Sequence, residues 1–132
     1  MATLDDILAM RQTLDAVHLD EKIELYILRL VTATRSPSAC GLEDLAPFIR
    51  FGASPRASIY LALAARGHAL MHGRDYVVPD DVKAMLHDVV RHRIAISYRA
   101  EAEGLNSDAL LDRIVERVPV NEVGASHAAA LD

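Results

Sequence analysis

The chain has 132 residues, 52% hydrophobic and only 5% aromatic, with no Trp and a formal net charge of −5. That length suits one domain, and the apolar content is too high for a disordered segment; a core of Leu, Ile, Val and Ala favours packed helices over a β-sandwich. The acidic balance disfavours generic nucleic-acid binding, the single Cys40 excludes an internal disulfide, and no apolar run reaches membrane-spanning length.

Thr3, with Asp6 three residues on, predicts a capped first helix whose stripe is Leu4, Ile7, Leu8 and Leu14. Met1 to Asp6 carry neither the basic nor the apolar part of a secretory leader, so a cytoplasmic, reducing location is expected. Asp20 is read as the cap of a second helix with face Ile23, Ile27, Leu30, Val31 and Thr34, ended by Arg35-Ser36-Pro37-Ser38. Leu42 to Ala46 reads as a short helix stopping before Pro47, with Phe48, Ile49 and Phe51 covering the core.

Gly52-Ala53-Ser54-Pro55 is the strongest helix-start signal: Ser54 is a good cap and Pro55 suits the first helical position. The helix runs to about Met71 or His72, stopped by Gly73, and Ala57, Tyr60, Leu61, Leu63, Ala64, Ala65 and Ala69 mark it as central and buried. A further helix starts at Pro79, its N-terminal dipole favoured by Asp80 and Asp81, with face Val82, Met85, Leu86, Val89 and Val90. Ser97 to Asn106 reads as a connector. Ser107 then caps a last helix with face Leu110, Leu111, Ile114 and Val118, its Asp108, Asp112, Arg113, Glu116 and Arg117 forming a solvated face. No strand longer than Tyr76 to Val78 is expected. The expected fold is all-α, a small bundle of about five helices over residues 1–118, with 119–132 a flexible tail.

Arg56 breaks a local rule. A cation at the start of a helix opposes the helix dipole, at roughly 0.3–1 kcal/mol, where free backbone N–H groups favour an anion. Such an arginine makes sense if something negative arrives from outside the chain; the alternative is a surface residue, or one paired with Glu43 or Asp44. His68 and His72 have zinc-ligand spacing, but no third ligand is evident, so ordinary partly buried or surface roles are expected and no metal site is assigned. Cys40 has no His-Asp arrangement to activate it.

Gly52-Ala53-Ser54-Pro55-Arg56-Ala57, the apolar helix after it, Gly73-Arg74-Asp75-Tyr76-Val77, Pro79-Asp80-Asp81-Val82-Lys83 and His92-Arg93-Ile94 together resemble the C-terminal lid of the MoxR family of AAA+ ATPases, in order from about Leu4 to Val120. The resemblance implies that Arg56 is the sensor-II arginine, reaching the ATP γ-phosphate, with Ser54, Pro55 and Ala57 as its supporting turn. It implies ATP and Mg²⁺ as cofactors of a parent protein, a chaperone-like ATP-hydrolysing remodelling machine. Implied partners are the lid's own AAA+ core, neighbouring ring subunits and a von Willebrand factor A domain protein. The chain contains no Gly-rich Lys-Ser/Thr loop, so as a fragment it is expected to have no catalytic residue, to hydrolyse nothing and to bind no nucleotide stably. Val78 stands where the family more often has Thr or Ser, which predicts a weaker helix start, and Gly67 interrupts the central helix. The competing reading is a helical protein-interaction or DNA-binding module in which the Gly-Ala-Ser-Pro-Arg turn is only a helix cap.

Overall fold

A computed structural model of the chain describes residues 3–120. The architecture is all-α: α1 (Leu4–Asp15), α2 (Glu21–Arg35), α3 (Arg56–Met71), α4 (Pro79–Val90), α5 (Tyr98–Ala102) and α6 (Ser107–Arg117). Three 3-10 turns, Pro37–Cys40, Glu43–Phe48 and Arg91–Arg93, join them, and β1 (Ile49–Phe51) pairs antiparallel with β2 (Ala95–Ile96). The expected tail lies, beyond residue 120, outside the described residues. Among the described residues no helix is long and apolar enough to cross a membrane.

The core is aliphatic, as the composition requires. Tyr26, Ile27, Leu30 and Val31 of α2, Leu61 and Ala65 of α3, Val82, Leu86 and Val90 of α4, and Leu110, Leu111 and Ile114 of α6 are all buried. The α3 face against α4 is built from Ala57, Leu61, Ala65 and Ala69, and small residues at this spacing let the two helices approach closely. The rest of α3 departs from the expected all-round burial: Ile59, Tyr60, Leu63 and Leu70 face solvent. The first helix departs further. Its Thr3–Asp6 capping box forms as predicted, yet none of its residues is buried, and Leu4, Ile7, Leu8 and Met10 are exposed.

Other starts and stops differ in detail. The Asp20 side chain caps nothing; its carbonyl accepts the Ile23 and Glu24 amides. Pro47 lies inside the 3-10 turn rather than after it, because an i→i+3 turn this short does not need the missing N–H. Phe48 and Ile49 are half-buried, whereas Phe51 is exposed. The predicted connector contains α5, capped by the Ser97 hydroxyl, which accepts the Ala100 amide at 3.2 Å. Asn106, not Ser107, caps α6, its side-chain oxygen accepting the Ala109 amide at 2.8 Å. The Tyr76 strand is a single parallel bridge to His18, with His18 donating to the Asp75 carbonyl and Val77 to the His18 carbonyl. The charges of α6 form a largely exposed face, as expected, and three of them also tie elements together: Arg117 bonds Asp44, Asp108 bonds Arg91, and Asp112 bonds His87.

Candidate functional site

The turn that presents Arg56 is fixed from behind by α2. A Cβ on Gly52 would collide with the Thr34 carbonyl and the Arg35 Cα, so only glycine permits this approach. Thr34, fully buried, donates to the Val31 carbonyl at 2.6 Å and accepts the Ala53 amide at 3.0 Å. The apolar spacing of α2 places Thr34 on the core face, but its role as an anchor depends on a partner far along the chain and is not readable from periodicity.

Ala53 and Ala57 are buried on either side of the exposed Ser54, Pro55 and Arg56. Pro55 already has helical dihedrals, φ −56° and ψ −25°, matching its expected place in the first turn. The predicted Ser54 side-chain cap does not form; instead the Ser54 carbonyl accepts the Ala57 amide at 2.9 Å, and the Ser58 hydroxyl donates to the Pro55 carbonyl at 2.6 Å. Arg56 is the first residue of α3 and is exposed. Among the described residues its guanidinium has no hydrogen-bond or ion-pair partner. The suggested pairing with Glu43 or Asp44 is absent there, and Asp44 is taken by Arg117 at 2.5 Å.

The sequence around this turn is empty of acid. No Asp or Glu lies between Asp44 and Asp75, or between Asp88 and Glu101. Exposed arginines there lie over aromatic rings: Arg93 over Tyr60 at 4.9 Å, Arg50 over Phe51 at 5.3 Å and Arg99 over Phe48 at 5.8 Å. A net-negative chain thus has acid-free stretches of sequence in which three exposed arginines lie over aromatic rings.

A second cluster locks α3 to α4. Asp81 is fully buried and accepts both guanidinium nitrogens of Arg74, at 2.5 and 2.8 Å, and the Val78 amide at 2.8 Å; His68 Nδ1 lies 2.7 Å from it. Burial pushes the Asp81 carboxyl up, but the Arg74 fork, the Val78 amide and His68 outweigh it and hold the pKa at about 2. Asp81 does more than favour the dipole: it supplies the helix-start contact expected to be weak at Val78. His72 stacks on His68 with centroids 4.2 Å apart and bonds the His68 carbonyl. Both imidazoles therefore have partners within the bundle, and among the described residues no group of three or more His, Cys, Asp or Glu could hold a metal ion. Cys40 is half-buried beside the core.

Apolar surface flanks the turn. An open groove of about 450 Å³ between α2 and α3 is floored by Leu19, Ile27, Leu28, Ile59 and Leu63. Another, of about 500 Å³, lies away from the turn, between α1 and the far end of α3 beside Gly67, Leu70 and Met71.

The AAA lid domain family model matches residues 43–114, which spans the turn, α3, α4 and most of α6. The chain is 42% identical over 100 residues to chaperone MoxR1 of Mycobacterium tuberculosis, covering 76% of this chain and 26% of that protein. It is 38% identical over 109 residues to protein MoxR of Paracoccus denitrificans, covering 78% and 32%. The crystal structure of an ATPase candidate from Cytophaga hutchinsonii superposes with a TM-score of 0.82 at 41% identity, covering 87% of this chain and 35% of that one. The chain therefore spans about a quarter to a third of the length of these relatives. With the turn, the helix order and the relatives in agreement, the chain belongs to the AAA lid domain family, as the C-terminal lid of a MoxR-family AAA+ ATPase.

Proposed function

We propose that residues 1–118 form a nucleotide-sensing lid and that Arg56 is its sensor-II arginine, donating to the γ-phosphate of ATP held with Mg²⁺ by a core domain outside this chain. The observation that carries this reading is an exposed arginine with no carboxylate partner among the described residues, on a turn immobilised by Gly52 and Thr34. Ser54, Pro55 and Ala57 shape that turn. Fixing the backbone while leaving the charge unmatched suits a group that waits for an external anion. The parent is then a chaperone-like, ATP-hydrolysing remodelling machine. The lid packs on its own core and on neighbouring ring subunits, and a von Willebrand factor A domain protein is the expected partner. The exposed apolar residues beside the turn, among them Ile59 and Leu63, suit the core-facing side. A cytoplasmic location fits this role.

The test is steady-state ATP hydrolysis by the full-length parent carrying Arg56→Ala. Loss of one charge-assisted hydrogen bond to the transferring phosphate predicts a fall in turnover of roughly ten- to a hundredfold at unchanged melting temperature. Arg56→Lys should rescue part of it, since a point charge does not reproduce the planar fork. Equal turnover at equal stability would reduce Arg56 to part of a helix start.

A further inference from the structure

We propose that Arg93 is a second phosphate-binding arginine of the same nucleotide site, set across the Tyr60 ring beside Arg56; this rests on the reading of Arg56 above. Tyr60 follows Arg56 by four residues on α3, so the two share one helix face with Cβ atoms about 5–6 Å apart. The Tyr60 ring is half-exposed, and helix side chains lean toward the N-terminus, the end of α3 that carries Arg56. The Arg93 guanidinium carbon sits 4.9 Å from the centroid of that ring. Arg93 is thus held against a ring that stands one helical turn from Arg56.

Arg93 is held without being neutralised. One nitrogen donates to the Val89 carbonyl near the end of α4, and the Tyr60 ring backs the guanidinium. Of its five donors that bond engages one, and the side chain is exposed. Nearby arginines in the same segment are matched differently: Arg91 is paired with Asp108, whereas no ion pair joins Arg93 to a carboxylate among the described residues. Neither Arg56 nor Arg93 has a carboxylate partner among the described residues, so an anion that reached both would displace no internal ion pair. Because Arg93 is already ordered, it loses less rotamer freedom when it grips a phosphate.

The experiment follows the arginine Nε–Hε signals of this chain by ¹⁵N NMR while sodium tripolyphosphate, and separately ATP, is added. Arg56 and Arg93 should move along one binding curve in the millimolar range, while Arg50 and Arg99 lag behind. Arg93→Gln keeps an amide donor for Val89 and a flat group against Tyr60 but removes the charge; it should weaken binding about three- to tenfold at unchanged fold. Should that variant not fold, the wild-type titration decides by itself. Movement of Arg56 without Arg93 overturns this inference and leaves the Arg56 reading standing. Absence of movement at both overturns this inference, while the Arg56 reading is decided by turnover of the full-length parent. Equal movement of all four arginines means ionic screening only and overturns it, as does a single-stranded oligonucleotide that moves them more than tripolyphosphate at equal phosphate concentration.

Discussion

The Thr34 hydroxyl accepts the Ala53 amide at 3.0 Å across 19 residues of sequence, tying the turn before Arg56 to the last turn of α2. Thr34→Val keeps the shape and removes both hydrogen bonds, leaving the buried Ala53 amide unsatisfied. A loss of about 1–3 kcal/mol in urea unfolding is expected, with Thr34→Ser losing less. Gly52→Ala, which drives a methyl into the Thr34 and Arg35 backbone, should cost about as much or more. If Gly52→Ala melts like the wild type, the close approach is not the constraint described.

Asp81 gives the fold its acid limit. Its carboxyl is lowered from 3.8 to about 2 in the folded chain, so the unfolded chain takes up the proton first as pH falls. The associated stability is fully present above about pH 4 and is lost as pH drops through about 2, amounting to about 2 kcal/mol. Asp81→Asn should flatten that part of the stability curve. At neutral pH it should cost about 3–5 kcal/mol, because Arg74 keeps a charge whose buried partner is gone. Denaturant melts from pH 2 to 7 check both effects.

Gly67 can be improved upon. A Cβ there meets only the Leu14 Cδ2, at 3.8 Å, an ordinary contact, and sits within an otherwise regular α3. Gly67→Ala should therefore raise stability by about 0.5–1 kcal/mol by restricting the unfolded chain. A drop in melting temperature would mean that α1 must lie closer to α3 than its present position.

Tyr26 is fully buried, and its hydroxyl has no hydrogen-bond partner among the described residues. Burial, with the negative charge of Asp80 added, raises its pKa from 10.0 to about 12. Its contribution is thus intact below pH 10 and lost as pH rises through 12. Tyr26→Phe should be neutral or stabilising at pH 7 and should remove that alkaline decline, as thermal melts at pH 7 and 11 would show.

What could be read in advance was local. The Thr3–Asp6 box and the α6 face need only neighbours three or four residues away and formed as expected, and α3 begins at Pro55–Arg56 but without the Ser54 cap. Thr34 was legible as a core-facing residue but not as an anchor, since Ala53 lies on another element. Asp81 likewise looked like a dipole residue because Arg74 and His68 reach it only after α3 and α4 fold together. Asn106 and Ser107 are adjacent and both able to cap, so local preference does not choose between them. The five-residue α5 is too short for periodicity to register. Arg56 stands out because it violates a preference, and the justification proposed for it is an anion from outside the chain.

The clamp behind Gly52 also has a mechanical meaning. With its first turn held against α2 and its far half locked to α4 through His68 and Asp81, α3 has little freedom to pivot within the bundle. Its sixteen residues make a stiff rod of about 24 Å. A pull at the Arg56 end would then be carried along the rod toward Met71 at the opposite tip rather than absorbed at the turn.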